Sequence, residues 1–203
     1  MKKYLLIALL AAALPVLATA QEAEDNTFGG WIFTEVNHDF ENGIYTTAYF
    51  EHDNYQFQRL ECNYFRFSAG YKILPWLKVG VNYVPVFEPS GTYHYGEVDL
   101  VGTLKSGNFK VSIRERCRHG FSNDKNELRS RLKVAYSIPD SRFGVYLAPE
   151  VFTWGNEWKK TRHYAACTCN VTDRMQLEAY YMYYAFNGAP AENVIGFGIN
   201  FDL

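Results

Sequence analysis

The sequence predicts an all-β protein, a transmembrane antiparallel up-and-down β-barrel of ten to twelve strands. Apolar and polar residues alternate along most of the chain, many alternating segments reach about ten residues, and aromatic residues make up 17% of the 203 residues. Alternation with a period of two is typical of strands with one apolar face, and aromatic residues favour strands. Soluble strands average about five or six residues, whereas a tilted strand that crosses a bilayer needs about 9–11. The segment lengths therefore favour a membrane barrel.

The N-terminal segment is interpreted as a secretory signal peptide. Lys2 and Lys3 precede an apolar run over residues 4–17, and Ala18 and Ala20 form a small-residue cleavage site. This order of charged, apolar and small residues is the pattern of a signal peptide, and the run is shorter than the ~20 apolar residues of a spanning helix. We expect cleavage after Ala20, with residues 1–20 as signal peptide and 21–203 as one barrel domain of the cell outer membrane.

The charge balance argues against a nucleic-acid partner. The chain has 20 basic and 22 acidic residues, and cleavage removes Lys2 and Lys3, which makes the mature chain more acidic. Dedicated nucleic-acid binders carry a basic field instead. No later segment is long and apolar enough for a spanning helix. An exported chain of this kind is soluble in the periplasm, secreted, or a β-barrel in an outer membrane.

Eleven strands are predicted in chain order, and the alternation is clearest in LKVGVNYVP, FKVSIRERCR, LRSRLKVAYS, RFGVYLAPEVF, RMQLEAYYMYY and NVIGFGINFDL. Tight turns such as KSGN separate strands at one end, and longer polar loops such as EPSGTYHYG and FNGAPAE at the other, as in transmembrane barrels. Bacterial barrels normally have an even number of strands, so ten to twelve are expected. The predicted strands cover residues 28–38, 44–52, 60–73, 76–87, 96–105, 108–118, 127–137, 142–152, 158–169, 173–184 and 194–203.

Two series of basic residues alternate with apolar residues on neighbouring predicted strands, over residues 114–118 and 129–133. A cation on the lipid face at mid-depth costs ~2–4 kcal/mol, so we expect the basic residues to face the lumen and the apolar residues to face lipid. The same parity turns several further charged residues inward. The predicted lumen charge network consists of Arg66, Asp99, Arg114, Arg116, Arg118, Arg129, Arg131, Lys133, Glu150, Arg162 and Glu178.

Two interpretations of this lumen remain open. A barrel of about ten strands has a narrow interior that side chains largely fill, so the cations can form an ion-pair plug with Asp99, Glu150 and Glu178. Alternatively, positive charge is left over to bind an anionic group that enters, such as a lipopolysaccharide phosphate or a small acid. The predicted function is a structural role, or a narrow binding or transport role for a small or anionic ligand.

The four cysteines leave their pairing open. Cys62, Cys117, Cys167 and Cys169 are even in number in an exported chain, which permits disulfides. A free Cys also packs as a small hydrophobe. No His or acidic cluster accompanies the C-x-C pair at ligand spacing, so no metal site is predicted.

A lipid hydrolase is the alternative function of a different class. In HGFSND, His119 and Ser122 are three residues apart and are followed by Asn123, in a predicted loop and not on one strand. No phosphate-binding loop, metalloprotease motif or dinucleotide motif is present. We therefore predict no catalytic residues and no cofactor. A soluble periplasmic lipocalin-like binder is a further alternative.

Several motifs carry a family resemblance across the mature chain: RERCR, LRSRLKVAYSIP, the strand with Glu150, the strand that Arg162 opens, LEAYYMYY and NVIGFGINFDL. With these motifs the chain resembles an uncharacterised family of outer-membrane β-barrel proteins of Gram-negative bacteria, domain of unknown function 2490. The resemblance implies a barrel in contact with outer-membrane lipids and lipopolysaccharide, and it brings no known activity. The last strand also resembles the signal that outer-membrane assembly machinery reads, with Leu203 where Phe is most common.

The barrel prediction is tested by fractionation. The folded protein should stay with the outer membrane after a carbonate wash and should migrate faster on a gel when it is not heated. Release into the wash would instead favour the soluble periplasmic alternative.

Overall fold

The computed structural model describes residues 27–121, 125–155 and 157–203. The predicted signal peptide, together with Ser122 and Asn123, lies outside these residues. The described chain forms eleven strands, one for each strand predicted from the sequence, and their bounds are β1 Thr27–Asp39, β2 Ile44–Tyr55, β3 Arg59–Leu74, β4 Leu77–Glu88, β5 Gly91–Ser106, β6 Phe109–Gly120, β7 Glu127–Ser137, β8 Phe143–Trp154, β9 Glu157–Asn170, β10 Met175–Phe186 and β11 Ala189–Asp202.

The strands form one closed barrel in which each strand pairs with its neighbours in sequence. Consecutive strands are antiparallel, and the barrel closes where β1 pairs with β11 in parallel, with Trp31 opposite Gly196 and Val36 opposite Phe201. In an up-and-down barrel with an odd number of strands, the first and last strands run in the same direction. The count of eleven therefore requires a parallel seam, which is the one departure from the predicted antiparallel pairing among the described strands.

Several predicted long loops are strand instead. β5 begins at Gly91 and β11 at Ala189, each five residues before the predicted start, so EPSGTYHYG and FNGAPAE are mostly strand. In β5 the added residues continue the alternation, because Tyr95 is buried in the barrel beside Val84 and Val86. Gly, Pro and Ser in these segments suggested loops, but packing of Tyr95 extends β5, and Ala191 is buried in the added part of β11.

The outer wall of the barrel is apolar. Its exposed residues include Val81, Val98, Leu100, Ile113 and Phe197. One carboxylate lies on this wall, at Glu115, where it accepts a hydrogen bond from Ser130 Oγ at 2.5 Å. An apolar exterior around a polar interior reverses the arrangement of a soluble protein and is typical of membrane barrels.

No helix that is long and apolar enough to cross a membrane occurs within residues 27–121, 125–155 and 157–203.

Glycines on β11 make room for aromatic rings inside the barrel. A Cβ atom at Gly196 would lie 2.0 Å from the Tyr180 ring, and one at Gly198 would lie 2.0 Å from the Phe33 ring. These distances are far shorter than any real Cβ contact, so the two rings occupy the space that a side chain would take at each glycine. The glycines thus fix the position of aromatic side chains on this wall of the lumen.

The close packing of the Phe33 ring on Gly198 can be tested by adding a single methyl group. Gly198→Ala should lower the free energy of unfolding by ~1–3 kcal/mol, as expected for overpacking, because the Phe33 ring must move. The urea midpoint in micelles, followed by the mobility of unheated protein on a gel, measures the loss. Gly102→Ala is the matched control, because a Cβ at Gly102 meets no atom within 4 Å. Equal urea midpoints for the two variants would contradict the close packing of Phe33 on Gly198.

Candidate functional site: the barrel lumen

The lumen contains a cavity of about 630 Å³. Its lining includes Glu61 and Lys125 near one end of the barrel and Asp173 and Arg174 near the other. A single cavity is therefore lined by residues from both ends. Eleven basic and nine acidic side chains among the described residues line it, so its surface is highly charged but nearly balanced.

The register of β6 and β7 places arginines directly opposite each other. Arg114 lies opposite Arg131, and Arg116 lies opposite Arg129. Like charges in direct cross-strand pairs are destabilising. The two strands can therefore pair stably only if carboxylates on the flanking strands, β5 and β8, compensate the guanidinium groups.

On one side of this pair of strands, carboxylates of β5 compensate the positive charge of two arginines on β6. Arg116 donates through Nε and Nη2 to the two oxygens of Asp99, both at 2.6 Å, and its Nη1 lies 3.2 Å from Glu97. Arg118 reaches Glu97 at 2.6 Å. The bidentate bond between Arg116 and Asp99 is the geometry in which a guanidinium group binds a carboxylate most strongly.

The carboxylate of Glu150 on β8 compensates the other side. Its Oε1 lies 2.6 Å from Arg114 and 3.2 Å from Arg129. The Glu150 side chain is fully buried, so both arginines depend on it for compensation that water does not supply. A buried ion pair of this kind is strongly destabilised when one partner is removed.

The predicted lumen residues differ in the partners that they contact. Asp99 and Glu150 pair with arginines of β6 and β7, and Arg66 pairs with Glu35 at 3.1 Å. Glu178 does not join the arginines; it accepts a hydrogen bond from the Tyr146 hydroxyl at 2.5 Å. Tyr146 was not predicted at this site, because no sequence pattern identifies which hydroxyl a strand brings opposite a carboxylate.

Glu97 was missed by the sequence prediction although it binds two arginines. Its parity is that of Asp99, so the alternation carried the necessary signal. The predicted strand began at residue 96, which left residue 97 at its edge.

Three lumen cations contact aromatic rings in place of carboxylates. The Arg131 guanidinium lies 5.9 Å from the centre of the Tyr164 ring, and the Lys133 ammonium lies 3.5 Å from that of Tyr146. The guanidinium carbon of Arg162 is surrounded by three aromatic rings. None of the three cations has a salt bridge to another described residue. Arg162 lies 4.4 Å from Tyr184, 4.8 Å from Trp31 and 5.1 Å from Phe152.

Acidic residues line the part of the cavity formed by β2 and β3. Glu51, Asp53 and Glu61 contribute to its lining. Asp53 is 5% exposed, its Oδ2 accepts a hydrogen bond from the Cys62 thiol at 3.3 Å, and its Oδ1 has no hydrogen-bond partner among the described atoms. Asp53 was not predicted as a lumen residue, because HDNYQFQ has the composition of a loop, whereas β2 continues to Tyr55. Glu51 and Glu61 lie near the ends of the two predicted strands that flank this segment.

An aromatic strip runs along the cavity between the basic and the acidic side chains. Phe33 stacks on Tyr49 with ring centres 5.6 Å apart and lies 6.2 Å from Tyr180, which lies 5.7 Å from Tyr164. All four rings line the cavity. The site therefore presents cations, carboxylates and aromatic surface to whatever enters the lumen.

The other candidate sites find little support in the geometry. All four cysteines are free, with Cys117 and Cys167 exposed. No group of three or more His, Cys, Asp or Glu residues in the described part of the chain is placed to hold a metal ion. His119 forms a hydrogen bond with Asn126 at 2.6 Å.

Comparisons with known proteins place this fold. The family model described as "Protein of unknown function (DUF2490)" matches residues 28–194. The chain is similar to the solved structure of a KdgM porin, with a TM-score of 0.53 and 11% identity over 74% of this chain and 81% of that chain. It is also similar to a NanC porin structure, with a TM-score of 0.60 and 17% identity over 86% of this chain and 98% of that chain. No curated protein matches the sequence significantly.

The dependence of two arginines on Glu150 gives a stability prediction. Glu150→Gln should lower the free energy of unfolding by ~3–5 kcal/mol, because Arg114 and Arg129 then remain buried without compensation. Urea unfolding in micelles measures the change. Asp39→Asn is the control, because Asp39 pairs with Lys72 on the exposed rim, where ion pairs contribute little. A Glu150→Gln barrel as stable as the Asp39→Asn barrel would show that the ion pairs do not hold β6 and β7 together.

Proposed function

The chain belongs to the DUF2490 family, as its motifs predicted, and we propose that it is a narrow channel of the cell outer membrane. Export depends on the signal peptide of residues 1–20, with cleavage after Ala20. The outer wall contacts membrane lipids and lipopolysaccharide, and the assembly machinery recognises β11. The closed barrel, its apolar exterior and the similarity of its fold to two structures named as porins support this proposal.

The observation that carries the proposal is the single charged cavity with lining residues from both ends of the barrel. Arg116 and its carboxylate partners, Glu97 and Asp99, are buried against the wall of β5 and β6 and do not line that cavity. We propose that the plug and the binding site of the two sequence-based interpretations are neighbours in one lumen. The ion pairs of Arg116 lie against one wall, and the cavity beside them is the proposed path.

We propose that Arg131, Lys133 and Arg162 contact the anionic group of a small solute in this path. They line the cavity and have no salt bridge to another described residue, so their positive charge acts on the lumen. A charged wall inside a low-dielectric barrel focuses the field on a solute that enters. The proposed function is one of binding and passage, with no chemical step.

Current through planar lipid bilayers tests the channel. The wild-type protein should give a small, steady conductance in potassium chloride. Arg131→Gln should lower the anion-to-cation permeability ratio, measured as a reversal potential in a salt gradient, because a lumen cation without a carboxylate partner is lost. Arg142→Gln on the exposed β7–β8 turn is the matched control and should leave the ratio unchanged. Folded protein that carries no current would favour a purely structural barrel.

A further inference from the structure

We propose that the lumen binds small zwitterionic solutes beside Trp31, with Asp53 holding the ammonium group and Arg162 the carboxylate. This inference rests on the proposed channel function and names the class of solute. The solutes that fit are amino acids whose two charged groups are several bonds apart.

The fold brings the two groups to one indole ring. Asp53 lies directly opposite Trp31 in the pairing of β1 with β2. The guanidinium carbon of Arg162, on β9, lies 4.8 Å from the centre of the Trp31 ring. All three residues line the cavity. A carboxylate and a guanidinium group, from strands four positions apart in the barrel, therefore both lie beside the same indole ring.

Both charged groups lack partners that their burial demands. Asp53 is 5% exposed, and its Oδ1 has no hydrogen-bond partner. The Nε of Arg162 is also buried without a hydrogen-bond partner, although the Tyr164 and Tyr184 hydroxyls accept bonds from its other nitrogens. Among the described residues neither group forms a salt bridge. Buried charges are stable only when they are paired, and a solute with both charges pairs the two at once.

The surroundings favour a dipolar solute over a simple anion. Glu51 and Glu61 line the cavity with Asp53, and Arg114 and Arg131 line it with Arg162. A monovalent anion is attracted to the arginines but repelled by the acids. A monovalent cation is attracted to the acids but repelled by the arginines. A zwitterion is attracted at both ends and adds no net charge to a lumen whose charges are nearly balanced.

The spacing of the two groups decides which zwitterions bind. Asp53 lies on β2 and Arg162 on β9, and β1, β11 and β10 lie between these strands in the barrel. An α-amino acid, whose charges are close together, therefore spans the two side chains less well than a longer ω-amino acid. We therefore expect 5-aminopentanoate to bind more tightly than glycine.

Calorimetric titration of the full protein in micelles tests the inference without any current measurement. 5-Aminopentanoate should bind at least about tenfold more tightly than pentanoate or pentylammonium, which each carry one of its charges. Asp53→Asn and Arg162→Gln should each weaken its binding by about the same factor. The matched controls are Asp140→Asn and Arg142→Gln, which make the same changes on an exposed turn outside the cavity and should bind it as the wild type does. The mobility of unheated protein on a gel verifies that each variant is folded.

The wild-type comparison alone decides the question if a variant fails to fold. Pentanoate binding as tightly as 5-aminopentanoate would show a simple anion site and overturn the inference, while the channel itself would stand. Absence of binding by 5-aminopentanoate would also overturn it. Preferential binding of 5-aminopentanoate by a protein that carries no current would support the site and contradict the channel.

Discussion

Compensation of positive charge inside a closed barrel is the constraint on which the rest of this structure depends. Alternation with apolar residues turns the arginines of β6 and β7 inward, because the apolar residues of these strands form the outer wall. Once inside, Arg114 and Arg116 face arginines of the neighbouring strand. The carboxylates of β5 and β8 stabilise that arrangement. The inward-facing charged residues of four successive strands, β5 to β8, therefore answer to one electrostatic requirement.

Positive charge is compensated in different ways in two parts of the lumen. On the wall of β5 and β6, Arg116 is held by Asp99 and Glu97, with little left exposed. Elsewhere, cations such as Arg162 contact aromatic rings, and acids such as Asp53 face the cavity without a cation partner. Cation–π contacts orient a charge without cancelling it. The ion-paired residues of β5 and β6 stabilise the barrel, whereas residues such as Arg162 and Asp53 leave charge exposed to the cavity.

Sequence alternation was sufficient to predict the strands and the direction in which most side chains point, because the period of two is a local property. Residues at the ends of strands were harder. Glu97 and Asp53 lie where Gly, Asn and polar residues imitate a loop, and only packing in three dimensions extends the strand through them. Two features have no local signal at all: the parallel seam, which follows from the total number of strands, and the choice of Tyr146 as the partner of Glu178.

The facing arginines of β6 and β7 also constrain the order of assembly. A hairpin of these two strands alone places Arg114 against Arg131 and Arg116 against Arg129 with no carboxylate between them, so its inner face is repulsive. Adjacent strands normally form the earliest pairs, because closing a short loop costs little entropy. Within the hairpin Arg118 lies 3.8 Å from Glu127, but Arg114, Arg116 and Arg129 gain their carboxylate partners only when β5 and β8 pair with it. Formation of the hairpin is therefore coupled to pairing with the two flanking strands.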